Sequence, residues 1–205
     1  MSNTHPLTII IDFETSGLSP NNGDRIIEVG AVAIEGEHIV DRFQSLVHPG
    51  FRVNSFIQEY TGITNKMLDS APTAKTVVPL LVDFIADHPL VAHNASFDQR
   101  FLDAELARFG YCKKQQMACS MLMSRRVNQT LSSHSLEYLV GVLNLPSGGH
   151  HRALADAEMT AHLYFKMVTQ LKHQYHLKEV PFDLLRKLSK IPKAKVADFI
   201  QKYQA

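Results

Sequence analysis

The stretch IIIDFETSGL, residues 9–18, opens as an apolar, β-branched run and closes on two acids, Asp12 and Glu14, with Phe13 between them. Leu7 to Asp12 has the composition of a short buried strand. Side chains alternate faces along a strand, so Asp12 and Glu14 share a face and Phe13 takes the other. Two carboxylates so close disfavour each other's ionisation, and a cation must relieve the repulsion. From this stretch alone the cation is either a basic side chain, with Arg25 as candidate, or a metal.

The segments around it set the fold class. TSGLSPNNGDR (15–25) is dense in turn formers. IIEVGAVAIEG (26–36) and HIVDRFQSLVHP (38–49) are two more strands, joined as a hairpin with Gly36 in the turn. SFIQEYTGIT (55–64) reads as a short helix running into a turn at Gly62. From Thr73 to Ala86, Val77, Leu80, Leu81, Phe84 and Ile85 recur at helical spacing. LVAHNA (90–95) is a short buried strand. The helix after it starts with a capping box of Ser96 and Gln99, buries Phe97, Phe101, Leu102 and Leu106, and stops at Gly110. HSLEYLVGVLN (134–144) and ALADAEMTAHLYFKMVTQL (153–171) are further helices, and the remainder is one or two short helices broken at Pro192. Strands first, then helices mixed with strand, predict an α/β fold with a mixed sheet covered by helices. The expected organisation is one domain over residues 1–175 and a short basic helical tail over 176–205.

Bulk properties narrow the function classes. A formal net charge of +1 over 205 residues gives no global pull toward nucleic acid or membrane, so any such attraction is local. Cys112 and Cys119, with six residues between them, make neither a zinc spacing nor a disulfide framework. The apolar run near the N-terminus is too short for a signal peptide or a membrane span. The expectation is a soluble cytoplasmic protein with reduced thiols and no membrane partner.

Two later segments add acids. In HNASFDQRF (93–101), Asp98 falls in the first turn of its helix, where the helix dipole favours an anion. HHRALADAEMTA (150–161) supplies Asp156, with His151 five residues earlier. Five helical residues turn about 140°, so the two would not share a helix face. His151 is expected on the loop entering the helix, free to swing over a site that Asp156 helps form, while His150 reads as a surface histidine.

DFETSGL, GDRIIEVGAV, YTGIT, HNASFD and HHRALADAE together, in this order, resemble the DEDDh (DnaQ-like) exonucleases. These ribonuclease H-like proteins include the epsilon proofreading subunit of bacterial DNA polymerase III. The TGIT form is similar to the exonuclease domain inside Gram-positive replicative polymerases. The resemblance covers roughly residues 7–172. It implies a ribonuclease H-like mixed sheet flanked by helices. It also implies four metal-binding carboxylates at Asp12, Glu14, Asp98 and Asp156, and a general base at His151. All-oxygen ligation suits two divalent cations, Mg²⁺ or Mn²⁺. Phe13, Thr15, Gly17, Leu18, Thr61, Asn94 and Phe97 occupy the positions expected to hold the terminal nucleotide. Two departures stand out. MACSMLMSRR (117–126) lacks an Asp-Thr pair carried by many relatives, and YTGIT lacks the histidine of the epsilon-type loop.

The activity so implied is removal of nucleoside 5′-monophosphates from the 3′ end of DNA, single-stranded or mismatched ends first. A polymerase or another replication or repair protein is the expected partner. RNA as substrate, as in ribonuclease T and oligoribonuclease relatives, stays open, and so does a non-catalytic binding module on the same fold. The run RKLSKIPKAK (186–195) holds five basic residues and no acid, and Arg125 and Arg126 form a second basic site. Each reads as a solvated face or as a phosphate or partner contact.

Overall fold

The computed structural model describes residues 7–148 and 152–204. Five strands form one sheet in the order β3-β2-β1-β4-β5. They are β1 (Thr8–Thr15), β2 (Ile26–Glu35), β3 (His38–Leu46), β4 (Leu90–Ala92) and β5 (Met117–Cys119). The first three run antiparallel as a meander, while β4 and β5 run parallel to β1. The parallel strands therefore end on the same edge of the sheet, the usual ligand edge of α/β folds. Gly36 turns the β2–β3 hairpin with a φ of 59°, as the EGE turn predicts.

Helices cover both faces. On one, α3 (Ala74–Ile85) and α4 (Ser96–Arg108) pack on Ile9, Ile11 and Phe13 of β1. On the other, α5 (Ser120–Val127), α6 (Leu136–Val142) and α7 (Ala153–Tyr175) pack on Ile10, Val32 and Ile34. Ile57 of α1 (Ser55–Thr61) and Leu68 of α2 (Asn65–Asp69) bury Ile27 at the start of β2. The tail packs on the body: Leu185 and Leu188 of α8 (Phe182–Leu188) and Val196 and Ile200 of α9 (Val196–Gln204) join the α7 core, with Pro192 between the two helices.

Three local expectations are corrected. Ala95, not Ser96, caps α4, with no side-chain cap bond; Ser96 already lies inside the helix, so the capping box does not form. The strand expected over LVAHNA stops at Ala92, because Asn94 takes a left-handed φ of 66°. Arg25 does not bridge the acid pair: its Nε and Nη2 donate to Glu105 at 2.6 and 2.9 Å.

Candidate active site

Strand alternation places Ile10, Asp12 and Glu14 toward α7 while Ile9, Ile11 and Phe13 enter the α3–α4 core. Across the β1–β2 ladder, Asp12 faces Gly30 and Glu14 faces Glu28. A Cβ on Gly30 would lie 2.1 Å from the Ala153 carbonyl carbon and from the Leu154 nitrogen. The missing side chain thus lets the first turn of α7 rest directly on β2, beside Asp12. Asp156 sits in that turn.

Glu28, fully buried, fixes the same turn. It accepts from Arg152 Nη2 at 2.8 Å and Nε at 3.1 Å, from the Ala153 amide at 3.1 Å and from Gln44 Nε2 at 3.0 Å. It therefore caps α7 from across the fold, where the cap residue Arg152 supplies no side-chain bond of its own. Sequence reasoning missed Glu28 and Arg152 as site residues. The signal was an acid in the middle of an apolar strand, which must find a partner when buried.

Asp98 arrives from the other face. The β1–β4 ladder holds only the pairs Ile9–Leu90 and Ile10–Val91. Beyond it, the buried Asp98 carboxylate accepts from the Phe13 amide and from its own amide. These bonds hold the first turn of α4 against the acid end of β1.

Asp12, Glu14 and Asp156 each present a carboxylate oxygen, all within 4.8 Å of one another. Asp98 is close enough to act on Asp12 electrostatically. Burial, then Asp98, Asp156, Glu14 and Glu28, push the Asp12 carboxyl well above the usual range. Glu14 is pushed up to about 8 by burial and then by Asp156, Glu28 and Asp98, with Arg152 opposing. Burial lifts Asp98 to about 7 although its two amide donors favour the charged form. The acids outweigh the one guanidinium near them, which itself serves Glu28. Oxygen donors of this density fit a hard divalent cation, with Asp12, Glu14 and Asp156 to hold it and Asp98 beside them.

The expected nucleotide-binding residues divide. Leu18 is 80% exposed and Asn94 is exposed, both available to a ligand. Phe97 is half-buried, packs against Phe101 and carries the Arg100 guanidinium 5.9 Å from its ring centre. Phe13 lies in the core, so only its backbone faces the site. The hydroxyls of Thr15 and Thr61 donate internally, to Gly17 O at 2.7 Å and Ile57 O at 2.8 Å. Gly17 closes on the Asp24 carboxylate, which a Cβ there would strike. His151, and His150 beside it, lie outside the described residues.

A family model described as "Exonuclease" (RNase_T) matches residues 9–164. Among curated proteins, the chain is 37% identical over 164 residues to the PolC-type DNA polymerase III of Caldanaerobacter subterraneus subsp. tengcongensis. That match covers 80% of this chain and 12% of the polymerase. The PolC-type polymerase of Staphylococcus aureus is 36% identical over 165 residues, 80% of this chain and 11% of its own length. Among solved structures, Exonuclease X in complex with 5′ overhanging duplex DNA superposes with a TM-score of 0.69 at 26% identity, over 89% of this chain and 99% of its own. The nuclease domain of 3′hExo, a DEDDh family member bound to rAMP, gives 0.69 at 21% identity, over 88% and 99%, a likeness of fold. The chain belongs to the exonuclease family, as a domain of the DEDDh, DnaQ-like type on the ribonuclease H-like fold.

Proposed function

We propose that the chain is a metal-dependent exonuclease that removes nucleoside 5′-monophosphates one at a time from the 3′ end of DNA. The observation that carries this reading is the cluster of Asp12, Glu14 and Asp156, with Asp98 pressing on Asp12 from the facing helix. These four acids are the proposed holders of two Mg²⁺ or Mn²⁺ ions. Bound there, divalent cations supply Lewis-acid stabilisation of phosphoryl oxygens and lower the pKa of a bound water. Glu28 and Arg152 keep the first turn of α7, and so Asp156, in place. His151, one residue before Arg152, is the proposed general base, with an imidazole pKa near working pH. Leu18 and Phe97 are proposed to pack on the terminal base and sugar.

Single-stranded or mismatched ends are the preferred substrates in this reading. Phe56 and Tyr60, one turn apart on α1, stack at 5.9 Å between ring centres and are 67% and 56% exposed. Such a pair offers a face to unpaired bases. A paired end must first fray, at roughly a few kcal/mol. The likeness to PolC-type polymerases supports DNA over RNA and supports work beside a replicative or repair polymerase.

The test is a time course on 5′-labelled oligonucleotides with Mg²⁺, resolved on a gel. Single-stranded and 3′-mismatched DNA should shorten by single nucleotides, faster than paired DNA, with monophosphate released. Internal cuts, or loss only from the 5′ end, would reject the reading. Faster loss from RNA would move the substrate to RNA. Binding without cleavage would leave a non-catalytic module.

A further inference from the structure

Most arginines here are neutralised: Arg25 and Arg108 by Glu105, Arg42 by Glu158, Arg152 by Glu28, and Arg186 by Asp183. Arg125, Arg126, Lys190, Lys193 and Lys195, in two segments that meet in the fold, are not. None forms an ion pair among the described residues. All but the half-buried Arg126 are exposed. They come from segments far apart in the chain, and the fold joins them. Arg126 Nε donates to Ile191 O at 2.9 Å, and Gln129 Nε2 donates to Lys193 O at 3.2 Å. The turn at Pro192 is thereby docked on the end of α5.

The joined patch connects toward the site through two histidines. His134 is held below its ordinary pKa first by burial and then by Lys193 and Arg125, and its Nδ1 is hydrogen-bonded to the Ser124 hydroxyl, next to Arg125, at 2.9 Å. The His134 carbonyl accepts from His93 Nε2 at 2.9 Å. His93 directly follows β4 and opens the short loop through Asn94 to α4, whose first turn carries Asp98. The parallel strands β1, β4 and β5 end on this edge, which carries the acid end of β1 and His93. None of the exposed large apolar side chains falls within residues 120–135 or 186–195. The surface has charge without the aromatic anchors on which protein interfaces depend. That favours a polyanion.

We propose that Arg125, Arg126, Lys190, Lys193 and Lys195 form a phosphate-binding track for the single strand behind the 3′ end. The inference rests on the exonuclease reading and adds to it where the upstream nucleotides run. Chemistry at the 3′ end and grip on the strand are then separate: the acids act on the last phosphodiester, and the cations set how length and salt affect binding.

The test uses the full chain and a variant with Arg125, Lys190, Lys193 and Lys195 all changed to Gln, checked for folding by circular dichroism. Arg126 is left intact because it also holds the Pro192 turn. The p-nitrophenyl ester of thymidine 5′-monophosphate, which has no upstream nucleotide, should be hydrolysed equally by both. On oligothymidylates of increasing length, the KM of the wild type should fall and that of the variant should stay level. In anisotropy titrations of a labelled oligothymidylate in EDTA, the log–log salt slope should drop by about 0.7 per lost contact, near 3 in all. A variant with Lys190, Lys193 and Lys195 changed to Arg should keep the wild-type slope. Length dependence and slope unchanged in the Gln variant would overturn the track and return the flank to a protein partner or to solvent. Failure of the wild type to cleave the ester would count against the exonuclease reading alone, since the titrations need no catalysis.

Discussion

Gly30→Ala tests how α7 is seated. The new Cβ would lie 2.1 Å from the Ala153 carbonyl carbon and the Leu154 nitrogen, and 2.4 Å from the Ala153 oxygen, whereas ordinary contact begins near 3.4 Å. Backbone cannot rotate aside as a side chain can, so the helix start must retreat by about 1.3 Å. Overpacking of this kind costs roughly 1–3 kcal/mol. The retreat also strains the bond from the Ala153 amide to Glu28, and a hydrogen bond to a charged group is worth about 1.5–3 kcal/mol. For a chain of this size each kcal/mol lowers Tm by roughly 2–4 °C. A fall of about 5–24 °C is expected from the two effects together. Activity should suffer more than stability. Asp156 rides on the displaced turn, and a misplacement of about 1 Å can cost about 10²-fold in rate. The assay is Tm by circular dichroism beside the single-turnover rate on a single-stranded oligonucleotide, well below the lowered Tm. Gly141→Ala is the control: it lies in α6 with nothing within 4 Å of an added Cβ, and should hold or gain stability. Wild-type Tm and rate in Gly30→Ala would refute the seating of α7 on β2.

Other outcomes follow from the site. Glu14 and Asp98 titrate near 8 and 7 in the fold, above their ordinary values, so the folded chain binds more protons than the unfolded chain between them. In EDTA, Tm should therefore fall as pH climbs from about 5 to 8, and Mg²⁺ should recover most of the loss at the upper end; a rising apo Tm over that window would contradict the buried acid cluster. Asp12→Ala or Asp156→Ala should abolish cleavage while the protein stays folded, and full activity of the wild type in excess EDTA would sink the metal assignment. His151→Ala should lose roughly 10²–10⁴-fold in rate and His150→Ala little, so equal small losses would remove His151 as base. Leu18→Ala should change stability by no more than about 0.5 kcal/mol, because the side chain is already in solvent, yet raise KM on single strands; an unchanged KM would free Leu18 of that role.

Much of this was legible in the chain because alternation and helical period report burial directly. The order β1-β2-β3, the helix over Ala74–Ile85 and the long α7 all follow from such patterns. Asp12 and Glu14 stood out for the opposite reason, being charges at the end of an apolar strand, while Asp98 and Asp156 were reached only through the family resemblance. Met117–Cys119 escaped notice because three residues are too few to show a period, and α5 follows it without a turn signal. Glu28 and Arg152 escaped as a pair because 124 residues separate them, and only the β2–α7 packing closes that gap. Arg25, one candidate partner for the acid pair, turns instead to Glu105 of α4, which lies beyond any local reading.

The short β1–β4 ladder makes Asp98 a mason as well as a ligand candidate. After two residue pairs the sheet opens a seam, and a side chain rather than a strand takes the next backbone donor, the Phe13 amide. Truncating Asp98 to alanine would remove a charge and at the same time leave that buried amide without its acceptor, at about 1–3 kcal/mol. Asparagine keeps a carbonyl oxygen for the seam and discards only the charge. Of the four acids, Asp98 is thus the one where the choice of replacement decides what is being measured: with asparagine the chemistry, with alanine the mortar between two strands.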